Sequence, residues 1–104
     1  MIRIFNMYQL NSGVNFEDYK RWSCEIDQKV VNSKKGCYKF EVFQIEEIKE
    51  GKPLVKIVEV IDVESLERWE EIRVDEDMKQ IGEKLWGEFA HRDSRVVMSG
   101  CKIE

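Results

Sequence analysis

The segment from Cys37 to Val63 constrains the fold most, because β-branched and aromatic residues fill both of its halves. Gly51 and the only proline of the chain, Pro53, lie between the two halves and favour a reversal of direction there. The pattern therefore predicts a β-hairpin, in which two long strands are joined by a turn at Lys49–Pro53.

The hairpin register decides which side chains share a face of the sheet. Pairing Phe40 with Val60 gives a continuous apolar row on one face. The same register places two carboxylates, Glu41 and Glu59, opposite each other on the other face. That second face is otherwise apolar, with Phe43, Ile57 and Ile61.

One strand and one helix are predicted before the hairpin, and one helical region and one strand are predicted after it. Alternation predicts a first strand at Ile2–Leu10, and the last strand is expected at Arg95–Ile103. A first helix is expected after the N-cap Asn15, and a second helical region from about Ser65 to Ala90 is expected to break where Asp75 caps a new piece. The apolar stripe of the first helix is Phe16, Tyr19, Trp22, Ile26 and Val30.

The resulting β-α-β-β-α-β order predicts a single α+β domain of the ferredoxin-like type over residues 1–104. Its four-stranded antiparallel sheet has helices on one face only. The predicted register leaves the other face apolar, which usually marks an association surface. We therefore expect a symmetric homodimer that packs through the sheet face. The apolar residues predicted there are Phe43, Ile45, Val55, Ile57 and Ile61.

Charge, apolar runs and cysteine spacing argue against nucleic-acid-binding, membrane-spanning and disulfide-rich proteins. The net charge of the 104 residues is −4, with both signs interleaved, so no basic stripe for a nucleic-acid partner is present. No apolar run is long enough to cross a membrane, and no signal peptide is evident at the N-terminus. The three cysteines are widely spaced, which favours reduced thiols and a cytoplasmic location.

An ordered set of positions between Ile4 and Phe89 resembles the RedY/HapK-like proteins, small proteins associated with prodiginine-type pigment biosynthesis. The matching positions are Trp22, Asp27, Asn32, Phe40-Glu41-Val42-Phe43, Glu59-Val60-Ile61-Asp62-Val63 and Met78. The resemblance implies a dimeric α/β barrel, formed by two sheets. It also implies a ligand cavity in each subunit, between sheet and helices or at the barrel mouth.

The candidate catalytic pair is Glu41 and Glu59. Two carboxylates held close in a poorly solvated site push one pKa upward, which gives a proton donor or acceptor near neutral pH. One alternative is that the register slips by a single residue, which would move both carboxylates to different environments. The other is that both carboxylates lie at a wet rim and only keep the sheet soluble. The candidate ligand-binding residues are Asn6, Tyr8, Phe43, Trp22, Ile57 and Trp69. For Tyr8 and the tryptophans, a purely structural place in the core is the alternative.

Asp27 is predicted at the C-terminal end of the first helix, where a negative charge opposes the helix dipole. We expect Lys29 or Arg21 to compensate this charge. Asp27 and Asn32 are then interpreted as a structural clamp, and a position at the mouth of a pocket is the alternative.

No metal or cofactor is predicted. His91 is the only histidine, and no second histidine or cysteine stands at ligand spacing from it. Haem-degrading proteins of the same fold group resemble this layout, with Asn6 similar to their strand-one asparagine. They also need a histidine on the second helix, where this chain has Met78 and Ile81.

These observations lead to one preferred hypothesis. The chain binds an aromatic or heterocyclic small molecule and assists a proton-transfer, dehydration or cyclisation step without a cofactor. Two alternatives stay open at this point. One is a non-catalytic ligand-binding or dimerisation module, and the other is a cofactor-free monooxygenase.

Overall fold

A computed structural model describes residues 1–52 and 55–104. Four strands form one antiparallel sheet in the order β2-β3-β1-β4: β1 (Ile2–Leu10), β2 (Cys37–Gln44), β3 (Ile57–Val63) and β4 (Ala90–Gly100). The α-helices are α1 (Phe16–Trp22), α2 (Gln28–Ser33), α3 (Leu66–Arg73) and α4 (Glu76–Lys84). A π-helical turn joins α1 to α2 at Ser23–Asp27, and a second one follows α4 at Leu85–Phe89. The predicted β-α-β-β-α-β architecture is confirmed.

Polar side chains begin the helices at the predicted positions. Asn15 Oδ1 accepts a hydrogen bond from the backbone N–H of Glu17 at 2.9 Å. Ser65 and Asp75 cap α3 and α4 in the same way, at 3.1 Å and 3.0 Å. The second helical region is therefore broken before Asp75, as its two capping signals predict. No helix within residues 1–52 and 55–104 is long and apolar enough to cross a membrane.

The predicted hairpin register is wrong by one residue. Val42 lies opposite Glu59, and Glu41 lies opposite Val60. The two arms are also shorter than predicted, because β2 ends at Gln44 and β3 begins at Ile57. The predicted turn at Lys49–Pro53 falls in the connecting segment, and Pro53 itself lies outside the described residues.

This shift of one residue exchanges the faces of β3, because successive side chains point to opposite sides of a strand. Ile57 and Ile61, predicted on the open face, are only 1% and 2% exposed beneath the helices. The open face is nevertheless apolar, because the register brings a different set of side chains together. The apolar members of this open face are Phe5, Met7, Phe43, Val58, Val60, Val96 and Met98.

The π-helical turn at Ser23–Asp27 changes which residues of the first helical region are buried. Ile26, predicted in the apolar stripe, is 48% exposed, whereas Asp27 and Val31 are 2% and 1% exposed. A π turn holds one more residue than an α turn, so the buried face moves on by one position. Tyr19 and Trp22, which precede the turn, are buried as predicted.

The last strand begins earlier than predicted. β4 starts at Ala90 and ends at Gly100, so Ala90 belongs to the strand rather than to the helix before it. His91 pairs with Gln9 of β1 and is exposed. All three cysteines are free thiols, and Cys37 is the buried one.

Asn32 ties α2 to the edge strand β2. Its Oδ1 accepts from the backbone N–H of Phe40 at 2.8 Å, and its Nδ2 donates to the Phe40 carbonyl at 3.0 Å. The same Nδ2 donates to the Gln28 carbonyl at 2.8 Å. The side chain thus takes the place of a neighbouring strand at Phe40, as the clamp interpretation predicts.

Replacing Asn32 by alanine is expected to lower the free energy of unfolding by about 2 kcal/mol, because both backbone groups of Phe40 lose their partner. Urea denaturation measures this change. Lys29→Ala, in the same helix and exposed, is the control and should change the free energy by less than about 0.5 kcal/mol. Equal effects of the two substitutions would contradict the clamp.

Candidate functional site

A cavity of about 430 Å³ lies between the sheet and the helices. The sheet contributes Asn6 of β1 and Glu59 of β3, which are direct neighbours across the two strands. The helical side is mainly apolar. Its apolar side chains include Val31, Trp69, Met78, Ile81, Leu85 and Trp86.

Glu59 is the central polar residue of the cavity and is only 5% exposed. Asn6 Nδ2 donates to Glu59 Oε1 at 2.8 Å, and the Tyr8 hydroxyl donates to Glu59 Oε2 at 2.7 Å. The Tyr19 hydroxyl lies 2.7 Å from the Tyr8 hydroxyl. Because Tyr8 donates to Glu59, Tyr19 donates to Tyr8, so that a line of hydroxyl groups connects α1 to Glu59.

Asp27 is a second buried acid of the same cavity. It ends the π-helical turn and is 2% exposed, and its Oδ2 has no hydrogen-bond partner among the described residues. The predicted compensation by Arg21 or Lys29 is wrong, because Arg21 pairs with Asp18 at 3.3 Å and Lys29 is exposed. Burial, and then the charge of Glu59, raise the pKa of Asp27 to about 8.

The two acids have different surroundings, which separates their protonation. Burial raises the pKa of Glu59, but the hydrogen bonds from Tyr8 and Asn6 and the charge of Arg95 act in the opposite direction. No such donors reach Asp27 Oδ2 within the described residues. At Glu59, burial outweighs the hydrogen bonds and the charge of Arg95, so the pKa of Glu59 is raised as well. The donors at Glu59 favour its ionisation over that of Asp27, which keeps its proton near neutral pH.

Burial also raises the pKa values of both tyrosines well above the ordinary value for a phenol. Tyr8 and Tyr19 consequently stay protonated and act as hydrogen-bond donors throughout the neutral range. The site can hold a carboxylate beside a carboxylic acid. This combination suits general base and general acid chemistry.

The structure separates the two carboxylates that the predicted register paired. Glu41 is exposed on the open face, where its Oε1 lies 3.3 Å from the Lys39 ammonium group. Phe43 lies on the same face and is 47% exposed. Neither residue lines the cavity, so the predicted juxtaposition of Glu41 and Glu59 is wrong.

The other candidate ligand-binding residues fall into two groups. Asn6 and Trp69 line the cavity, and Tyr8 reaches it through Glu59. Trp22 packs on Phe89, with the ring centroids 5.3 Å apart, and belongs to the core. Ile57 is buried in the core as well. A role in ligand binding stays a prediction for all of them.

Sequence reasoning placed Asp27 at the mouth of a pocket only as the alternative, and it missed three arginines that line the cavity, Arg73, Arg92 and Arg95. The signal for Asp27 was an acid at a helix end without a compensating partner. The arginines carry no local signal, because they come from the end of α3 and from β4. In the part of the chain that the structure describes, no three His, Cys, Asp or Glu side chains cluster closely enough to hold a metal ion.

Comparison with known proteins gives one family match and several matches of fold. The family model described as REDY-like protein HapK matches residues 2–100. A crystal structure of HapK from Hahella chejuensis superposes with a TM-score of 0.80 at 12% identity, covering 99% of this chain and 93% of that one. A protein of Arabidopsis thaliana superposes with a TM-score of 0.83 at 13% identity, covering 100% and 97%.

Two further structures have the same fold. A DABB family protein of Mesorhizobium loti with a ferredoxin-like fold gives a TM-score of 0.74 at 12% identity, covering 99% of this chain and 97% of that one. A dimeric protein of unknown function from Bacteroides fragilis gives 0.61 at 14% identity, covering 95% and 93%. No curated protein matches the sequence.

The raised pKa of Asp27 predicts a pH-dependent stability. Between its ordinary value of 3.8 and about 8, the folded chain holds a proton that the unfolded chain releases. Stability therefore falls as pH rises through this window, with a slope that approaches about 1.4 kcal/mol per pH unit. In Asp27→Asn this contribution is absent, so the variant should gain stability relative to the wild type between about pH 5 and pH 8.

Urea denaturation of both proteins across this window measures the difference. Asp18→Asn removes the same negative charge from an exposed acid at the start of the same helical region and is the control. A pH-independent difference for Asp27→Asn would show that Asp27 titrates normally.

Proposed function

The chain belongs to the family of the REDY-like protein HapK, and on this premise we propose that it binds an aromatic or heterocyclic metabolite and assists proton transfer on it without a cofactor. The observation that carries the proposal is the presence of two buried acids, Glu59 and Asp27, in one mainly apolar cavity. A cavity of about 430 Å³ lies within the ordinary range for small-molecule sites.

The cavity walls support an aromatic ligand. Trp69 and Trp86 line the cavity, together with Phe40 from the sheet. Aromatic side chains bury a large area and favour stacked or edge-on contacts with a flat ring. The polar atoms are concentrated on the sheet side, around Asn6 and Glu59, where they can orient the ligand.

The two acids divide the chemistry between them. Glu59 as carboxylate removes a proton from a carbon of the ligand, while Asp27 as acid gives a proton to an oxygen. In a dehydration, the carbon–oxygen bond breaks and the hydroxyl leaves as water. Glu59 has then gained a proton and Asp27 has lost one. Transfer of the proton from Glu59 back to Asp27 restores the starting state.

Ring opening of 5-nitrobenzisoxazole tests the base directly. A base removes the ring C–H proton, the nitrogen–oxygen bond breaks, and a coloured nitrile phenolate forms. We expect the protein to accelerate this reaction, and Glu59→Gln to lower the rate by about 10²-fold, because the amide cannot accept the proton. Absorbance of the phenolate measures the rate.

Glu41→Gln is the matched control, since it makes the same chemical change on the open face of the sheet and should leave the rate unchanged. Loss of rate in the Glu41 variant alone would contradict the proposed base. Binding of aromatic compounds without any acceleration would favour the non-catalytic binding module instead.

We also propose that the open face joins two copies of the chain. Several cross-strand pairs in the middle of this face consist of two apolar residues, as in the pairs of Phe5 with Val60 and of Met7 with Val58. Phe43 and Met98 extend the face outward and are 47% and 50% exposed. Single exposed apolar side chains are common on protein surfaces, whereas an apolar face across all four strands favours an association surface. The dimeric relative of the same fold is consistent with this arrangement.

A charge in the centre of the open face should break the dimer. Val58→Lys is expected to convert a species of twice the chain mass into one of 12.4 kDa, because a buried, unpaired ammonium group opposes association. Analytical ultracentrifugation measures the mass. Ile26→Lys, an exposed apolar residue in the helical layer, is the control. A monomeric wild-type chain would contradict the proposal.

A further inference from the structure

Three arginines line one side of the cavity that holds the two acids. Arg92 and Arg95 come from β4, and Arg73 ends α3. Arg73 and Arg92 are exposed, whereas Arg95 is half-buried. The three side chains therefore lead from the solvent toward the interior of the cavity.

The positive charges of these arginines are close to one another and largely uncompensated. Burial, and then the charges of Arg73 and Arg92, lower the pKa of Arg95. Arg73 has one exposed carboxylate partner, Glu70, at 3.0 Å. Within the described ranges, neither Arg92 nor Arg95 forms an ion pair with a carboxylate, and Arg95 donates to Asn6 Oδ1 at a long 3.4 Å.

An aromatic side chain holds two of the guanidinium groups in place. Arg92 and Arg95 lie over the ring of Trp86, 5.7 Å and 5.8 Å from its centroid. The Trp86 ring meets Tyr8 edge-on, with the centroids 5.3 Å apart. Cation–π contacts orient the two groups beside the cavity while leaving their N–H donors available.

Other charged residues line the cavity and bear on this argument. Lys79 adds a further positive charge, and Glu83 is the one exposed acid that lines the cavity. Arg95 also acts on Glu59, whose pKa its charge lowers. Glu59 already accepts hydrogen bonds from Asn6 and Tyr8. The N–H donors of the three arginines are therefore not used up by this carboxyl group.

We propose that the ligand carries an anionic oxyacid group, a carboxylate or a phosphate ester, which Arg73, Arg92 and Arg95 bind while the aromatic part enters the cavity. This inference rests on the proposed function and names the class of its substrate. Planar guanidinium groups bind such oxyanions through paired N–H donors. An anion here would also relieve the repulsion among the three positive charges.

Three probes that share one ring system and differ in charge separate the contribution of the anionic group from that of the ring. The probes are 2-naphthoate, 2-naphthyl phosphate and the neutral 2-naphthamide. Isothermal titration calorimetry at low salt should show at least one anion binding about tenfold more tightly than the amide. The anion that binds more tightly identifies the oxyacid class.

The double variant Arg73→Gln/Arg92→Gln should remove this preference and change the affinity for 2-naphthamide by less than about twofold. Arg95 is left intact because it also acts on Glu59. Arg21→Gln, an exposed arginine of α1, is the control and should keep the full preference.

The possible results distinguish failure of the anion site from failure of the aromatic cavity. Equal affinity of the wild type for the anions and the amide overturns the anion site and leaves the aromatic cavity standing. An anion preference that persists in the double variant also overturns the assignment to these arginines. Failure of all three probes to bind overturns both the anion site and the aromatic cavity.

Discussion

The buried carboxylate of Glu59 is the constraint on which the site depends. An ionised group in an apolar interior is tolerated only when hydrogen-bond donors replace its lost water. Here Asn6 and Tyr8 supply these donors from the adjacent strand, and Tyr19 supports Tyr8 from α1. Hydrogen bonds to a single buried carboxyl group thus connect β1 and β3, and Tyr19 links α1 to them. These hydrogen-bonded side chains form a polar layer beside an apolar cavity. Because water is largely excluded there, gain or loss of one proton in this layer changes the strength of every hydrogen bond in it.

The sequence was sufficient for the order of elements but not for the hairpin register. Capping residues and helical spacing are local signals, and Asn15, Ser65 and Asp75 all act as predicted. Register, in contrast, depends on which face of a strand is buried. β3 reads Ile-Val-Glu-Val-Ile-Asp-Val, so both faces are mainly aliphatic and differ little in hydrophobicity. The segment that separates β2 from β3 is also much longer in sequence than the two-residue turn that fixes the register of a hairpin.

The same distinction explains what sequence reasoning found of the site. Glu59, Asn6 and Tyr8 were identified because alternation places them on strands, and Trp69 lines the cavity as well. Glu41 was misplaced by the register, and a pocket position for Asp27 was only the alternative because α-helical spacing turns this residue away from the core. The arginines belong to α3 and β4, which are distant in sequence from the acids, and only the folded chain brings them to one cavity.

The π-helical turn at Ser23–Asp27 has an evolutionary consequence. A turn of this kind corresponds to one inserted residue in an otherwise α-helical segment. Removal of one residue within the turn would restore α-helical spacing and leave Asp27 buried, because Asp27 would then follow Trp22 by four positions. A relative that is one residue shorter in this segment can therefore keep an interior acid at the equivalent place, and loss of that acid requires a substitution of the residue itself.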